Sequence, residues 1–239
     1  MSIFADVFGY LLGLIYGLVK DYGVAIIIFT LLTKLILMPF TIKQLRSSKE
    51  MAAIQPKMQE IQEKYKDNKE VQSQKMLELY KEHNYNPLSG CLPLLIQFPI
   101  IIGLFTALRE PATYVFANNP ELLETATHQT FLWMKNLSQP DLMSNIFSSG
   151  PAWLMKMPGL MPILSAVLTY FQMSSMNAAQ GAAATQNNSL KMMQTIFPLM
   201  ILFWGTSLSA GLILYWTVGS IFQIGQQYYM KRPVKGENV

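Results

Sequence analysis

From Tyr22 to Thr41 the chain reads YGVAIIIFTLLTKLILMPFT, an apolar run with Thr30, Thr33 and Lys34 set inside it. At 1.5 Å rise per residue, about 20 predominantly apolar residues cross the hydrocarbon core of a bilayer. The pattern returns at 90–109, 157–174, 193–208 and 210–230, which predicts five membrane-spanning helices and an all-α membrane protein. A further apolar stretch, residues 1–21, comes first, holds Asp6, and ends at Lys20 and Asp21. Its Ile3, Val7, Tyr10, Leu11, Leu14 and Leu18 recur at helical spacing, which predicts an amphipathic helix lying at the interface. A sixth span or an uncleaved signal-like segment would give the same pattern. No basic stretch precedes the apolar part, so a cleaved signal peptide is not expected.

Between the first two spans, at 42–89, the pattern switches to alternating charges with apolar positions every three or four residues. Met51, Ile54, Met58, Ile61 and Tyr65 form one seam. The tripeptide KDN at 66–68 interrupts the seam, and Val71, Leu77, Leu79 and Tyr80 resume it. Two antiparallel helices follow, a hairpin hinged at MPFTIKQ and HNYNPLSG. Its methionines give it an adaptable apolar surface suited to docking another protein.

Charge fixes a direction for the spans. The hairpin carries nine basic residues from Lys43 to Lys81, and Lys231, Arg232 and Lys235 follow the last span, whereas the loop at 110–156 has only Lys135 and Lys156. The positive-inside rule then places the hairpin, the small-residue connector at 175–192 and the short tail at 231–239 in the cytoplasm, and the N-terminus outside. The basicity belongs to loops, so it reads as topology and implies no DNA partner. Composition agrees with a membrane protein: 51% of the 239 residues are hydrophobic and 13% charged. A single cysteine, Cys91, excludes an internal disulfide, and His83 and His128 stand far apart without ligand spacing, so neither a metal nor a cofactor is expected.

The chemistry concentrates on Lys34. A charge at bilayer depth costs at least ~2.5 to 3.5 kcal/mol, and none of the five spans contains an Asp or Glu to pair with it. Lys34 lies six residues before Phe40, so it is within reach of the near interface and snorkelling would explain it. Helical side chains lean toward the N-terminus of their helix, however, and an outside N-terminus tips Lys34 toward the bilayer centre. Thr30 stands one turn back on the same face. Gln97, Ser165, Thr169, Gln172, Thr217 and Ser220 offer polar groups at comparable depth on other spans. An unpaired cation with such neighbours predicts a hydrated cavity.

The segments TLLTKLILMPFTIKQLRSSKEMAAIQPKMQEIQEKY, NPLSGCLPLLIQFPIIIGLFTALR, FLWMKNLSQPDLM, MPILSAVLTYFQ and GLILYWTVGSIFQIGQQ together resemble, in the same order, the YidC membrane protein insertase family. The resemblance covers almost the whole chain and is to the short bacterial form without a large external domain. It implies five spans around a hydrophilic groove that is open to the cytoplasm and to lipid and closed outside. It also implies a positive residue on the first span, typically arginine, which falls here on Lys34, and further groove positions at Gln172 and Trp216. The chain departs from the family pattern at Lys34, at Met173, where a second glutamine is common, and at Ser220, where asparagine is usual.

The expected function is therefore a non-enzymatic insertase of the bacterial plasma membrane, working as a monomer. It would accept hydrophobic segments of new proteins from the cytoplasm and release them sideways into lipid. Nothing in the sequence resembles a nucleotide loop, a nucleophile triad or paired catalytic carboxylates. A small-solute or proton-coupled transporter is the rival class, but five spans do not divide into matching halves. A purely structural assembly chaperone would have the same sequence features. Candidate partners are client membrane proteins, membrane lipids, the ribosome, signal recognition machinery and the Sec translocon. The tail after Tyr229 is only MKRPVKGENV, so ribosome tethering through the tail is not expected, which leaves the hairpin or the connector open for such contact.

Overall fold

The computed structural model describes residues 2–83, 85, 92–117, 119–179 and 188–231. Segment 86–91, most of the connector (180–187) and the tail 232–239 lie outside the described residues. Ten α-helices and no strand occur among the described residues: α1 (Ser2–Val19), α2 (Tyr22–Lys64), α3 (Lys69–Glu82), α4 (Leu92–Arg109), α5 (Pro111–Tyr114), α6 (Pro120–Thr127), α7 (Ala152–Met155), α8 (Leu160–Ala179), α9 (Asn188–Trp204) and α10 (Ala210–Lys231).

Asp21 starts α2. Its Oδ1 accepts the Val24 N–H at 2.9 Å, satisfying one of the donors that a helix N-terminus leaves free. The sequence predicts a hinge near residue 42, but α2 runs unbroken for 43 residues through both Pro39 and Pro56. Each proline removes one backbone bond. The residues between them, FTIKQLRSSKEMAAIQ, contain no glycine and many good helix formers, so the helix resumes. Pro93 falls in the first turn of α4, where its missing N–H costs no intrahelical bond.

The main core gathers at one end of the bundle. Leu12 and Tyr16 of α1, Tyr22, Ile26 and Phe29 of α2, Leu104 and Leu108 of α4, Phe116, Met134 and Leu137 of the long loop, and Leu212 to Tyr215 of α10 are all buried there. Tyr16 meets Phe116 edge-on with ring centroids 5.2 Å apart, and Tyr22 lies 5.8 Å from Phe116. Such pairs add about 0.5 to 1.5 kcal/mol each beyond their buried area. The loop is stitched to the start of α10, where Ala210 N donates to Gln139 O at 2.7 Å and Gly211 N to Leu137 O at 2.8 Å.

Helix α1 packs along α4 and α2, with Phe4 and Phe8 against Gly103, Phe8 also on Phe29 and Tyr16 on Tyr22, while Gly9 lies against Tyr114 of α5. The six residues expected to form its apolar face, from Ile3 to Leu18, all point away from the protein. The helix is thus apolar on two sides, one against the bundle and one outward, as a helix bounded by protein and lipid should be. By length and hydropathy alone, Tyr22–Gln44 is the one segment among the described residues that suffices to cross a membrane. Helices α8 and α10 carry polar rows that lower their hydropathy, and the described apolar parts of α4 and α9 are shorter.

The far half of α2 folds back on α3. Asn68 caps α3 by accepting the Val71 N–H at 3.2 Å. Ile54, Met58, Leu79 and Tyr85 form a small separate core, with Met51, Ile61, Met76 and Tyr80 at its edge. Leu77, expected in this seam, points outward, and Met76 takes its place. The row is set by Leu79 and Tyr80, and Met76 lies three and four positions before them, one helical turn back.

Candidate functional site

On α2, the inward stripe changes character part-way along. Tyr22, Ala25, Ile26 and Phe29 are buried and apolar, and one turn on come Thr30, Thr33 and Lys34. Lys34 retains only 7% of its surface, while its neighbours Leu31, Leu32, Leu35 and Ile36 face outward. A lysine snorkelling along the lipid surface would lie among those residues. Lys34 instead lies across α10, its Nζ 6.0 Å from the centroid of the Tyr215 ring, a spacing at which a cation–π attraction of about 0.5 to 1 kcal/mol is available. Gly219 makes room for it. A Cβ built on that glycine would stand 2.9 Å from Lys34 Cε and 3.3 Å from Nζ, so the lysine stem occupies the space any other residue would fill.

Two rows on α10 organise the site. Tyr215, Gly219 and Gln226 share the face turned to α2, where Gln226 Nε2 donates to Thr41 Oγ1 at 2.7 Å. Trp216, Ser220 and Gln223 lie about 100° further around and face α8. There Trp216 Nε1 donates to Thr169 Oγ1 at 3.1 Å, the Thr169 and Ser220 hydroxyls lie 3.5 Å apart, and Gln172 Nε2 donates to Gln223 Oε1. The pairings advance together. Lys34 with Gly219 and Thr41 with Gln226 are both seven residues apart, and Thr169 with Trp216 and Ser220 is followed by Gln172 with Gln223. Helices α2, α8 and α10 therefore run parallel, side by side, with α10 in the middle.

Along all three helices the apolar end precedes the polar one. On α8 the buried Met161 gives way to Ser165, Thr169 and Gln172. On α10 the run Leu212 to Tyr215 gives way to Trp216, Ser220, Gln223, Gln226 and Gln227. The assembled seam has a tightly packed apolar end and an end lined with hydroxyls, amides and one ammonium. Among the described residues the one ion pair lies elsewhere, on the exposed face of α3 between Lys75 and Glu78.

Of the residues picked from sequence, Lys34, Thr30, Thr169, Gln172, Trp216 and Ser220 meet on this seam. Thr30 is fully buried and donates to Ile26 O at 2.6 Å, with its methyl turned toward Gly219. Thr217 is buried, with its hydroxyl donated to Ile213 O at 2.7 Å, but it sits about 200° around α10 from Tyr215 and so does not share the lysine's face. Gln97 falls in the early turns of α4, and its side chain lies outside the described residues. Sequence reasoning missed Thr41, Gly219, Gln223 and Gln226. For Thr41, Gly219 and Gln226 the signal was a shared seven-residue offset, and for Gln223 its three-residue step from Ser220 matching that of Gln172 from Thr169; both have meaning only once α10 is known to lie beside α2 and α8.

The sequence profile of the family described as "60Kd inner membrane protein" matches residues 14–237. The chain belongs to that family. Its relatives include "Membrane protein insertase YidC 2" of Listeria innocua, 38% identical over 238 residues, spanning 98% of this chain and 69% of the relative. "Membrane protein insertase YidC" of Clostridium perfringens is 36% identical over 95% of this chain and 86% of its own length. The Chlorobaculum tepidum protein of the same name is 38% identical over 92% of this chain, but only 34% of its own length is matched. The chain thus spans about a third of that longer relative. The all-helical fold is similar to a crystal structure described as an active YidC insertase with its first transmembrane domain resolved. The TM-score is 0.64 at 30% identity, over 95% of this chain and 46% of that one. The family resemblance read from the sequence motifs is therefore established.

Proposed function

We propose that this chain is a membrane protein insertase, which takes hydrophobic segments of new proteins from the cytoplasm and releases them sideways into lipid without covalent chemistry. The observation that carries the reading is Lys34. It is turned into the bundle on the polar half of the seam, and no carboxylate pairs with it among the described residues. A cation there keeps its charge by reaching water, so the polar ends of α2, α8 and α10 are read as a groove that hydrates, with Thr30, Thr169, Gln172, Trp216 and Ser220 on its walls. A client's difficulty is moving a short polar or acidic outer tail through ~30 Å of hydrocarbon. A hydrated notch reaching part way shortens that path, and a fixed positive charge in it attracts an acidic tail.

The parallel run of α2, α8 and α10 supports five crossings, because the first, third and fifth spans of such a chain point the same way. Helices α4 and α9 then return in the opposite sense. The basic residues of the α2–α3 hairpin support a cytoplasmic position for it, and with it for the polar end of the seam, with the N-terminus outside. The packed apolar end becomes the outer seal. The α2–α3 hairpin is then a cytoplasmic arm, available to ribosome, signal recognition machinery or the Sec translocon, and the chain works as a monomer. The test is reconstitution of the purified protein in liposomes with a single-span client carrying an acidic outer tail. Protease-protected client above the level of empty liposomes is the expected result, and insertion no better than in empty liposomes refutes the reading.

A further inference from the structure

The loop before α8 makes a closed excursion. Its base is pinned where Leu142 and Pro158 form an isolated antiparallel bridge, with Met143 N donating to Met157 O at 3.1 Å. Beside that bridge Asp141 is fully buried. Its carboxylate accepts Trp133 Nε1 at 3.1 Å, Asn145 Nδ2 at 3.0 Å and the Met161 backbone N–H, in the first turn of α8, at 2.9 Å. Gly159 N donates to Asp141 O at 2.8 Å, and a Cβ at Gly159 would lie 2.5 Å from the carboxylate carbon. The excursion is therefore held rigidly to the top of α8.

Its outer part is apolar and uncovered. Phe147 and Met157 are nearly half exposed, and Trp153, on the short α7, is 68% exposed. These residues lead into the outward stripe of α8, made of Leu160, Ile163, Leu164 and Val167. From 142 to 159 the sequence has no acidic residue and one basic one, Lys156. Large exposed apolar side chains on a closed loop are unfavourable in water and suit another apolar phase. A tryptophan at the end of a lipid-facing stripe, beside a lysine, matches the chemistry of the headgroup–acyl boundary, where amphipathic rings settle and ammonium groups meet phosphates.

We propose that residues 146–157 form an interfacial foot, seated in the outer leaflet of a phospholipid bilayer through Phe147, Trp153 and Met157, with Lys156 against lipid phosphate. Through Asp141 the foot fixes the height of α8, and hence of Thr169 and Gln172, relative to the membrane plane. The inference rests on α8 crossing the bilayer, as the proposed function requires.

The test uses the full chain in phosphatidylcholine–phosphatidylglycerol vesicles on a Cys91→Ser background, with nitroxide labels at Trp153→Cys, Val167→Cys and, as an aqueous reference, Glu63→Cys. Collision rates with oxygen, which partitions into lipid, and with a water-soluble nickel chelate are compared by electron paramagnetic resonance. A label at 153 that loses nickel-chelate collisions relative to 63, yet less completely than the label at 167, supports the foot. A label at 153 as accessible to the chelate as that at 63, with 167 shielded, overturns the foot while leaving α8 in the membrane. A label at 153 that loses collisions with oxygen as well as with the chelate, relative to the label at 63, is covered by protein and also overturns it. Accessibility at both 153 and 167 refutes the spanning reading and the foot together.

Discussion

At the scale of single residues, the seam depends on Gly219. A methyl group there meets the flexible end of Lys34, which can retract by a few tenths of an ångström, whereas a longer side chain displaces the ammonium. Gly219→Ala should therefore insert clients nearly as well as the unaltered protein. Gly219→Leu should lower insertion of acidic-tailed clients several-fold while leaving the amount of folded protein in the membrane similar, as immunoblotting and reconstituted insertion would measure. Equal insertion by both variants would mean that the position of the lysine along α10 is unimportant. Asp141 makes a contrasting prediction. Its removal strands three donors, two on side chains and one at the start of α8, and an unmet buried donor costs about 1 to 3 kcal/mol. Asp141→Ala should destabilise the protein by ~2 to 4 kcal/mol, read as a clear fall in the thermal midpoint in detergent micelles. An unchanged midpoint would show that the loop is not tied to α8 through this carboxylate.

Between elements, the parallel register of α8 and α10 is open to direct test. The Thr169 and Ser220 hydroxyls are 3.5 Å apart, close enough that cysteines at both positions should form a disulfide under mild oxidation on a Cys91→Ser background. Cysteines at 169 and 227, two turns away along α10, should not. Reversal of that preference would undo the pairing on which the seam is built. The hairpin gives a second test. Its small core of Ile54, Met58, Leu79 and Tyr85 is separate from the main one, so the amides of α3 should exchange with solvent faster than those in the middle of α10. Slower exchange in α3 would mean that the arm is held by contacts beyond this core. Much at this scale was legible in the sequence. The five apolar segments each hold a helix, because length and hydrophobicity are local properties of the chain. The hydroxyls and amide of the α8–α10 row, Thr169, Ser220 and Gln172, were visible as polar residues set in apolar segments. What the sequence concealed were relations between segments. The heptad match of Lys34 and Thr41 with Gly219 and Gln226 requires knowing which helices touch. The unbroken course of α2 through Pro39 reflects helix-forming residues on both sides outweighing one lost bond. Leu77 and Met76 exchanged roles because hydrophobicity alone does not choose between adjacent positions; the register of Leu79 and Tyr80 does.

The whole molecule divides into an end packed with aromatic and aliphatic side chains and an end lined with hydroxyls, amides and one ammonium. That division, with the family to which the chain belongs, supports a device that offers a charged tail a partial path through the membrane. The central claim is that the charge of Lys34, rather than its shape, assists the client. Arginine is longer and planar but always charged, whereas methionine has similar length and no charge. The decisive measurement is reconstituted insertion by the unaltered protein, Lys34→Arg and Lys34→Met, across single-span clients whose outer tails carry a graded number of acidic residues. The account predicts that Lys34→Arg follows the unaltered protein throughout, and that Lys34→Met falls behind by a factor that grows with each acidic residue and vanishes for neutral tails. Equal insertion by Lys34→Met and the unaltered protein across the whole series would contradict it.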